Sequence, residues 1–408
     1  MTRKQYFIII LILGALSTIS PFSIDMYLPA FPAIAEDLDT SISKIQLSLT
    51  AYLVGISVGQ LLYGPLLDRF GRKYPLYAGL GVYILASVAC AFTTSADTLI
   101  LMRFLQALGG CAGMVAAQAL VRDLFPTSET AKVFSWLILV IAVSPMIAPT
   151  VGGYVTAAFG WHAVFLALAA ITFLILFGIY YALPEGKLAD PSMSLMPKPV
   201  LSNFWKVLRN PQFIIFTLVG GIASAAPFAY IAGSPDVFMN VYGVSEQEYG
   251  WIFAFLAFAM IASPQLNHIL LRKLRSQQII NLALVYQLAI GAVMVFGVYS
   301  GIFGKNSLIA VIFLFLIGQG LVAPNASALS LAPFRKYAGS ASALTGSFRM
   351  GIGAIVSGVV SVFHNGTALP MVSVMAACTV IGIFIFYMGR TSANAYTRAE
   401  VAGLQEEL

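Results

Sequence analysis

Apolar residues run in long unbroken stretches along this chain, and polar residues collect in the short gaps between them. A helix needs about 20 such residues to cross a bilayer. Stretches of that length fall at 6–28, 45–67, 75–95, 98–120, 133–158 and 161–183. A second set falls at 211–235, 247–270, 277–300, 307–331, 339–363 and 367–389. The widest polar interruption, 184–210, carries Glu185, Lys187, Asp190, Lys198, Lys206 and Arg209 and divides six stretches from six. The pattern predicts an all-α polytopic membrane protein with twelve transmembrane helices in two six-helix halves. The N-terminal half is residues 1–183, the linker 184–210, and the C-terminal half 211–408 with a short tail. Paired halves of this kind recur among secondary transporters.

Composition strengthens the picture. The 408 residues are 59% hydrophobic and 9% charged, against about 25% charged in a soluble domain. Tyr6 to about Leu28 is too long for a signal-peptide core, and Ala30-Phe31-Pro32 is a poor cleavage site, so the first stretch reads as a retained span. Of the 22 Lys and Arg residues, only Lys44 and Lys305 fall on the side opposite the N-terminus, and only Arg103 and Arg349 lie inside spans. The rest share one side, including Arg69, Arg72, Lys73, Arg272, Lys273, Arg275, Arg335 and Lys336. That bias predicts both termini on the cytoplasmic side. The net charge of +6 therefore reports orientation and not nucleic-acid binding.

Several classes of chemistry drop out. Cys90, Cys111 and Cys378 sit inside apolar stretches with no C-x-x-C spacing, so they read as buried small hydrophobes. His162, His268 and His364 stand alone at span edges. No P-loop, metal-ligand cluster or nucleophile–base pair is readable, so the expectation is a non-enzyme with no cofactor and no metal. Partners are the bilayer, a small-molecule substrate and protons, with the chain acting as a monomer.

Ionisable groups inside the membrane default to handling a substrate or an ion. Asp25 lies in the outer part of the first span, among Phe22, Ile24 and Met26 and beside Tyr27. Ionising a carboxylate there costs hydration, so its protonation would respond to conformation, as proton coupling requires. The alternative is a hydrated or pinned carboxylate near the outer interface. Arg103 in the fourth span shares a helix face with Gln106. It either relays proton occupancy through Asp25, its candidate partner by depth, or is a structural arginine bonded to span carbonyls. Arg349 lies mid-span in the eleventh stretch. It either faces the cavity and attracts an anionic or zwitterionic substrate, or bonds carbonyls of a broken helix. Pro324-Asn325 interrupts the tenth span and could present a carboxamide to the cavity, which makes Tyr27, Gln106, Asn325 and Arg349 the cavity candidates. Phe228, Tyr230, Trp251, Phe253 and Phe255 are either aromatic walls or packing mass, and Asp236 reads as interfacial.

The connection Gly64-Pro65-Leu66-Leu67-Asp68-Arg69-Phe70-Gly71-Arg72-Lys73 is too short to leave the membrane surface. Gly64 permits close helix approach, and Gly71 suits a turn with positive φ. Asp68 sits near the negative end of a helix dipole, where a carboxylate needs a cation. A gating latch explains that placement, and plain positive-inside anchoring is the alternative.

This segment resembles the "G-x-x-x-D-x-x-G-R-[RK]" signature of the major facilitator superfamily. The resemblance implies alternating access about a central cavity, with Asp68 and Arg72 gating its cytoplasmic side. Asp25 to Pro32 also resembles the start of the Bcr/CflA subgroup of bacterial drug:proton antiporters, which implies a role for Asp25 in binding cationic drug and proton. Arg103, Gln106 and Gly109 are similar to the superfamily's "R-x-x-Q-G-x-G", with Ala107 replacing a glycine, and imply proton transfer at Arg103. Pro149, Gly152 and Gly153 resemble the exporter motif "G-P-x-x-G-G" in span 5, with Ala148 replacing glycine, and imply a hinge or leak-proof interface. Together the likenesses imply a proton-coupled antiporter of the bacterial inner membrane exporting amphipathic drugs or antibiotics. The alternatives are an exporter of an amino-acid derivative and a non-transporting membrane receptor or assembly subunit.

Overall fold

The computed structural model describes residues 3–190, 197–334 and 337–406. Arg335, Lys336 and the side chain of Lys198 lie outside the described residues. The chain is helical throughout: α1 (Arg3–Asp25), α2 (Phe31–Asp37), α3 (Ile42–Arg69), α4 (Lys73–Ala91), α5 (Ala96–Leu124), α6 (Thr127–Phe159), α7 (Trp161–Ala182) and α8 (Pro197–Leu208). There follow α9 (Pro211–Pro235), α10 (Glu246–Leu270), α11 (Ser276–Tyr299), α12 (Lys305–Leu331), α13 (Ala338–Val362) and α14 (Leu369–Glu406). Among the described residues, twelve spans are long and apolar enough to cross a membrane. Each expected stretch coincides with one of them.

Side-chain caps fix several helix starts. Ser95 accepts from the Thr98 amide at 3.2 Å, Ser245 from Glu248 at 3.2 Å and Asn210 from Phe213 at 3.1 Å. Each cap satisfies one of the amides a helix start leaves without a partner. Gly71 turns the loop after α3 with φ +79°, a conformation that side chains strain to adopt. Pro21 stays inside α1 without ending it. The first span breaks later instead: α1 stops at Asp25, and a single 3-10 turn at Leu28–Ala30 leads into α2. Asp25 therefore terminates a helix and does not lie within one.

The helices pack as two bundles joined along two seams, α3 against α13 and α6 against α10. Within the first bundle, α4 approaches α5 until a Cβ on Gly109 would lie 2.6 Å from the Tyr83 amide nitrogen. Lipid offers apolar side chains no reason to leave it, so membrane helices associate through close backbone contact of this kind. Cys90, Cys111 and Cys378 are buried and unbonded to one another, as their setting suggests.

Candidate functional site

Asp25 is 4% exposed. Among the described residues it makes no hydrogen bond and no ion pair. The turn just after it, Leu28–Ala30, packs against α9 and α10 of the opposite bundle, the helices that carry Tyr230 and Tyr249. Tyr230 stacks on Phe253 with ring centroids 5.3 Å apart, and Tyr249 lies 6.0 Å from the same ring. The Tyr249 hydroxyl pairs with Ser234 at 2.8 Å, whereas the buried Tyr230 hydroxyl has no partner among the described residues. A lone carboxylate, an unpaired hydroxyl and three aromatic rings thus meet where the bundles face one another. A proton or a ligand cation would satisfy this set. The sequence offers Tyr230 and Phe253 as possible aromatic walls, but Tyr249 carries no signal beyond being one tyrosine among 18. Trp251 and Phe255 are exposed on the outer surface of α10.

Arg103 is enclosed within the first bundle and does not pair with Asp25. Its Nη2 donates to the Ser23 carbonyl oxygen at 2.8 Å, and its Nη1 to Gln106 Oε1. Its guanidinium carbon lies 4.1 Å from the ring centroids of both Tyr27 and Tyr52. Gln106 in turn donates to Ser87 at 2.7 Å, and the Ser23 and Tyr83 hydroxyls meet in a short hydrogen bond. The span-carbonyl contact expected of a structural arginine is thus present, at Ser23. The contact is geometric: α1 turns its backbone to Arg103 at Ser23.

Three of the four cavity candidates are closed off. Tyr27 and Gln106 belong to the shell of Arg103 and are fully buried. Asn325 donates to Asn267 Oδ1 at 2.6 Å and to the Leu321 carbonyl at 2.8 Å, spending its carboxamide between α10 and α12. Arg349 differs. It is exposed, on the face of α13 that carries Ser342 of the cavity wall described below, and no partner is seen among the described residues. Asp236, expected at an interface, is buried at the end of α9 and accepts from Asn240 at 2.9 Å, with His364 Nε2 also 2.7 Å away.

The seams are closed at one end and open at the other. Away from the basic loops, Gly152 presses on the Met26 carbonyl and Gly153 sits against the Glu246 carbonyl. A Cβ on Gly250 would lie 2.8 Å from Thr150 Cα. Along the second seam Thr50 meets Ser357 at 3.0 Å, and Ser57 donates to the Ser347 carbonyl at 2.9 Å. Contact persists to Gly346, which abuts the Gln60 carboxamide, and then the bundles part. A cavity of about 700 Å³ opens there, lined by Gln60, Gly64, Gln118, Arg122, Asn203 and Ser340 among others. A Cβ on Gly64 would meet nothing within 4 Å, so in this conformation the residue serves no close helix approach and simply borders the opening.

At the rim, Arg72 donates from Nη1 to Asp68 at 2.8 Å and from Nε to Asp123 at 2.7 Å. Burial disfavours its charge, but the hydrogen bonds to Asp123 and Asp68 outweigh that and hold its pKa above the usual arginine value. Asp123 also accepts from the Lys187 amide at 2.9 Å. Asp123 is a rim residue outside the loop motif, and the signal that could have found it is the adjacent charge pair Arg122-Asp123 at the end of a span.

A sequence profile described as Major Facilitator Superfamily matches residues 13–358. The chain is 34% identical to an uncharacterized MFS-type transporter, YdgK, of Bacillus subtilis, over 95% of this chain and 96% of that one. It is 32% identical to a bicyclomycin resistance protein homolog of Haemophilus influenzae, over 97% and 99% of the two chains. It is 30% identical to a chloramphenicol resistance protein of Pseudomonas aeruginosa, over 92% and 89%. Among solved structures, a bacterial homolog of the human lysosomal transporter Spinster, described as inward-facing and unoccupied, superposes with TM-score 0.72 at 14% identity, covering 98% of this chain and 99% of that one.

Proposed function

The chain belongs to the Major Facilitator Superfamily, and on that footing we propose that it is a proton-coupled exporter of small amphipathic compounds in a bacterial inner membrane. The observation that carries this reading is Asp25: a buried carboxylate with no partner among the described residues, one turn before the segment that packs against α9 and α10 of the other bundle. The likeness to proteins named for bicyclomycin and chloramphenicol resistance supports an antibiotic-sized cargo and a place near the Bcr/CflA exporters.

The one-sided basic loops favour a cytoplasmic position for the open end, so the cavity is taken as inward-open. Cargo enters from the cytoplasm and reaches the region of Asp25, where its positive or polar group displaces the carboxyl proton to cytoplasmic water. The loaded carrier then rocks about the seams, closing past Gly64 and parting at Gly152, Gly153 and Gly250. Protonation of Asp25 from outside releases the cargo, and the protonated carrier returns. Asp68, Arg72 and Asp123 hold the rim, and Pro149, Gly152 and Gly153 supply the smooth outer contact. Asp25 thereby gives up its proton when cargo binds and regains one when cargo leaves, which is antiport.

The test is proton release on addition of bicyclomycin, chloramphenicol or a lipophilic cation to purified protein in weak buffer. Wild type should release protons and Asp25→Asn should not. Equal release from both would remove Asp25 from coupling.

A further inference from the structure

Around the cavity and deep in the spans, charge that no protein group answers is confined to a few of the described residues and has a pattern. Of the acids around the cavity, Asp68 and Asp123 are both engaged by Arg72. Deeper, Asp236 is engaged by Asn240 and His364. Arg103 is held by Ser23, Gln106 and two aromatic rings. What remains is Arg122, exposed on the cavity wall, Arg349, exposed on the face of α13 that carries Ser342 of that wall, and Asp25 near the boundary between bundles.

Two of these three are arginines, which is unexpected in a carrier of simple cations. A guanidinium inside the membrane is costly without a partner, and it cannot shed its proton to escape that cost. Its fork of N–H groups matches a carboxylate in a bidentate pair. On α13 Arg349 shares a helix face with Ser342, a residue of the cavity wall two turns nearer its mouth.

We propose that Arg349 is the subsite for an anionic group of the cargo, so that the preferred cargo is an amphipathic zwitterion: a carboxylate held by Arg349 and a cationic or polar end turned to Asp25. Arg122 draws the carboxylate into the mouth without competing for it deeper in. This rests on the exporter reading above for the role of Asp25, but the pairing at Arg349 is a matter of binding and is measurable without transport.

The probe is a matched pair of rhodamine dyes, one with a free carboxylate and the other its ethyl ester, titrated against purified protein by fluorescence anisotropy. Wild type should bind the free acid more tightly than the ester. Arg349→Gln should weaken free-acid binding about tenfold, as expected for losing a hydrogen-bonded charge, and leave ester binding within about twofold. Arg349→Lys, which keeps the charge but not the fork, should fall between. Tighter binding of the ester by wild type overturns the proposal with no variant needed. Equal weakening of both dyes in Arg349→Gln also overturns it, because a merely structural arginine would act that way. If Arg349→Gln does not fold, Arg349→Lys decides: an unchanged acid-to-ester ratio overturns the assignment. Failure of the exporter reading would show elsewhere, as no proton release with either dye.

Discussion

Arg103 donates to the main-chain carbonyl of Ser23 at 2.8 Å, two residues before the carboxylate that depth alone makes its partner. The arginine thus holds the last turn of α1, the turn that ends at Asp25. It works on the acid through the backbone. Removing one partner from a buried charged network costs about 3–5 kcal/mol. Arg103→Gln should therefore lower the thermal unfolding midpoint markedly, and Arg103→Lys, lacking the planar fork, should lower it less. Normal stability with abolished proton release would instead restore a direct relay.

The rim network predicts an ordering. Asp68 is a partly exposed partner, and such pairs contribute about 1 kcal/mol or less. Asp123 accepts both the Arg72 guanidinium and the Lys187 amide. Asp123→Asn should therefore change maleimide labelling of a cysteine placed at Ala343, on the cavity wall, more than Asp68→Asn does. Both should insert normally and transport poorly. Full transport in both, with unchanged labelling, would rule out the latch.

The glycine contacts at the closed end give a conformational prediction. A side chain on Gly250 would collide with α6 at Pro149 and Thr150, destabilising only the conformation in which that end is shut. Gly250→Val should shift the population outward, raising labelling of cysteines on the outer face and lowering it at Ala343. A shift of about 1.4 kcal/mol would change the ratio tenfold. Labelling that does not move on either face would show that the contact is not specific to one conformation.

Asn325 offers a contrast with Arg349. Its carboxamide is buried between Asn267 and Leu321, so Asn325→Ala leaves polar groups without partners, at about 1–3 kcal/mol. Stability should fall while relative affinities among cargoes stay the same. Altered selectivity with unchanged stability would return Asn325 to the cavity.

Spans and loops are legible in the sequence because lipid imposes a length and a polarity on each segment, and the loop at Gly64–Lys73 because its charges are local. The partners are not. Whether Asp25 turns to Arg103 or to Tyr249 depends on where the helix stops, and the 3-10 turn after Tyr27 leaves no periodic mark. Asn325 reads as available because the proline before it suggests a break, yet α12 runs unbroken through Pro324 and seats the carboxamide against α10. Asp123 needs the fold as well, since its arginine is 51 residues away.

The hydroxyl pairs between α3 and α13 have a mechanical meaning. Thr50 with Ser357 and Ser57 with Ser347 are small, uncharged and interchangeable, and the bare surface beyond Gln60 carries more of the same chemistry at Ser340 and Ser342. A bond surrendered at one end of this seam can be replaced by a similar one at the other, so rocking conserves the number of contacts while moving their location. Such a seam acts as a fulcrum with little friction. On the proposed exporter reading, it leaves the direction of the swing to be set by whether proton or cargo occupies the centre.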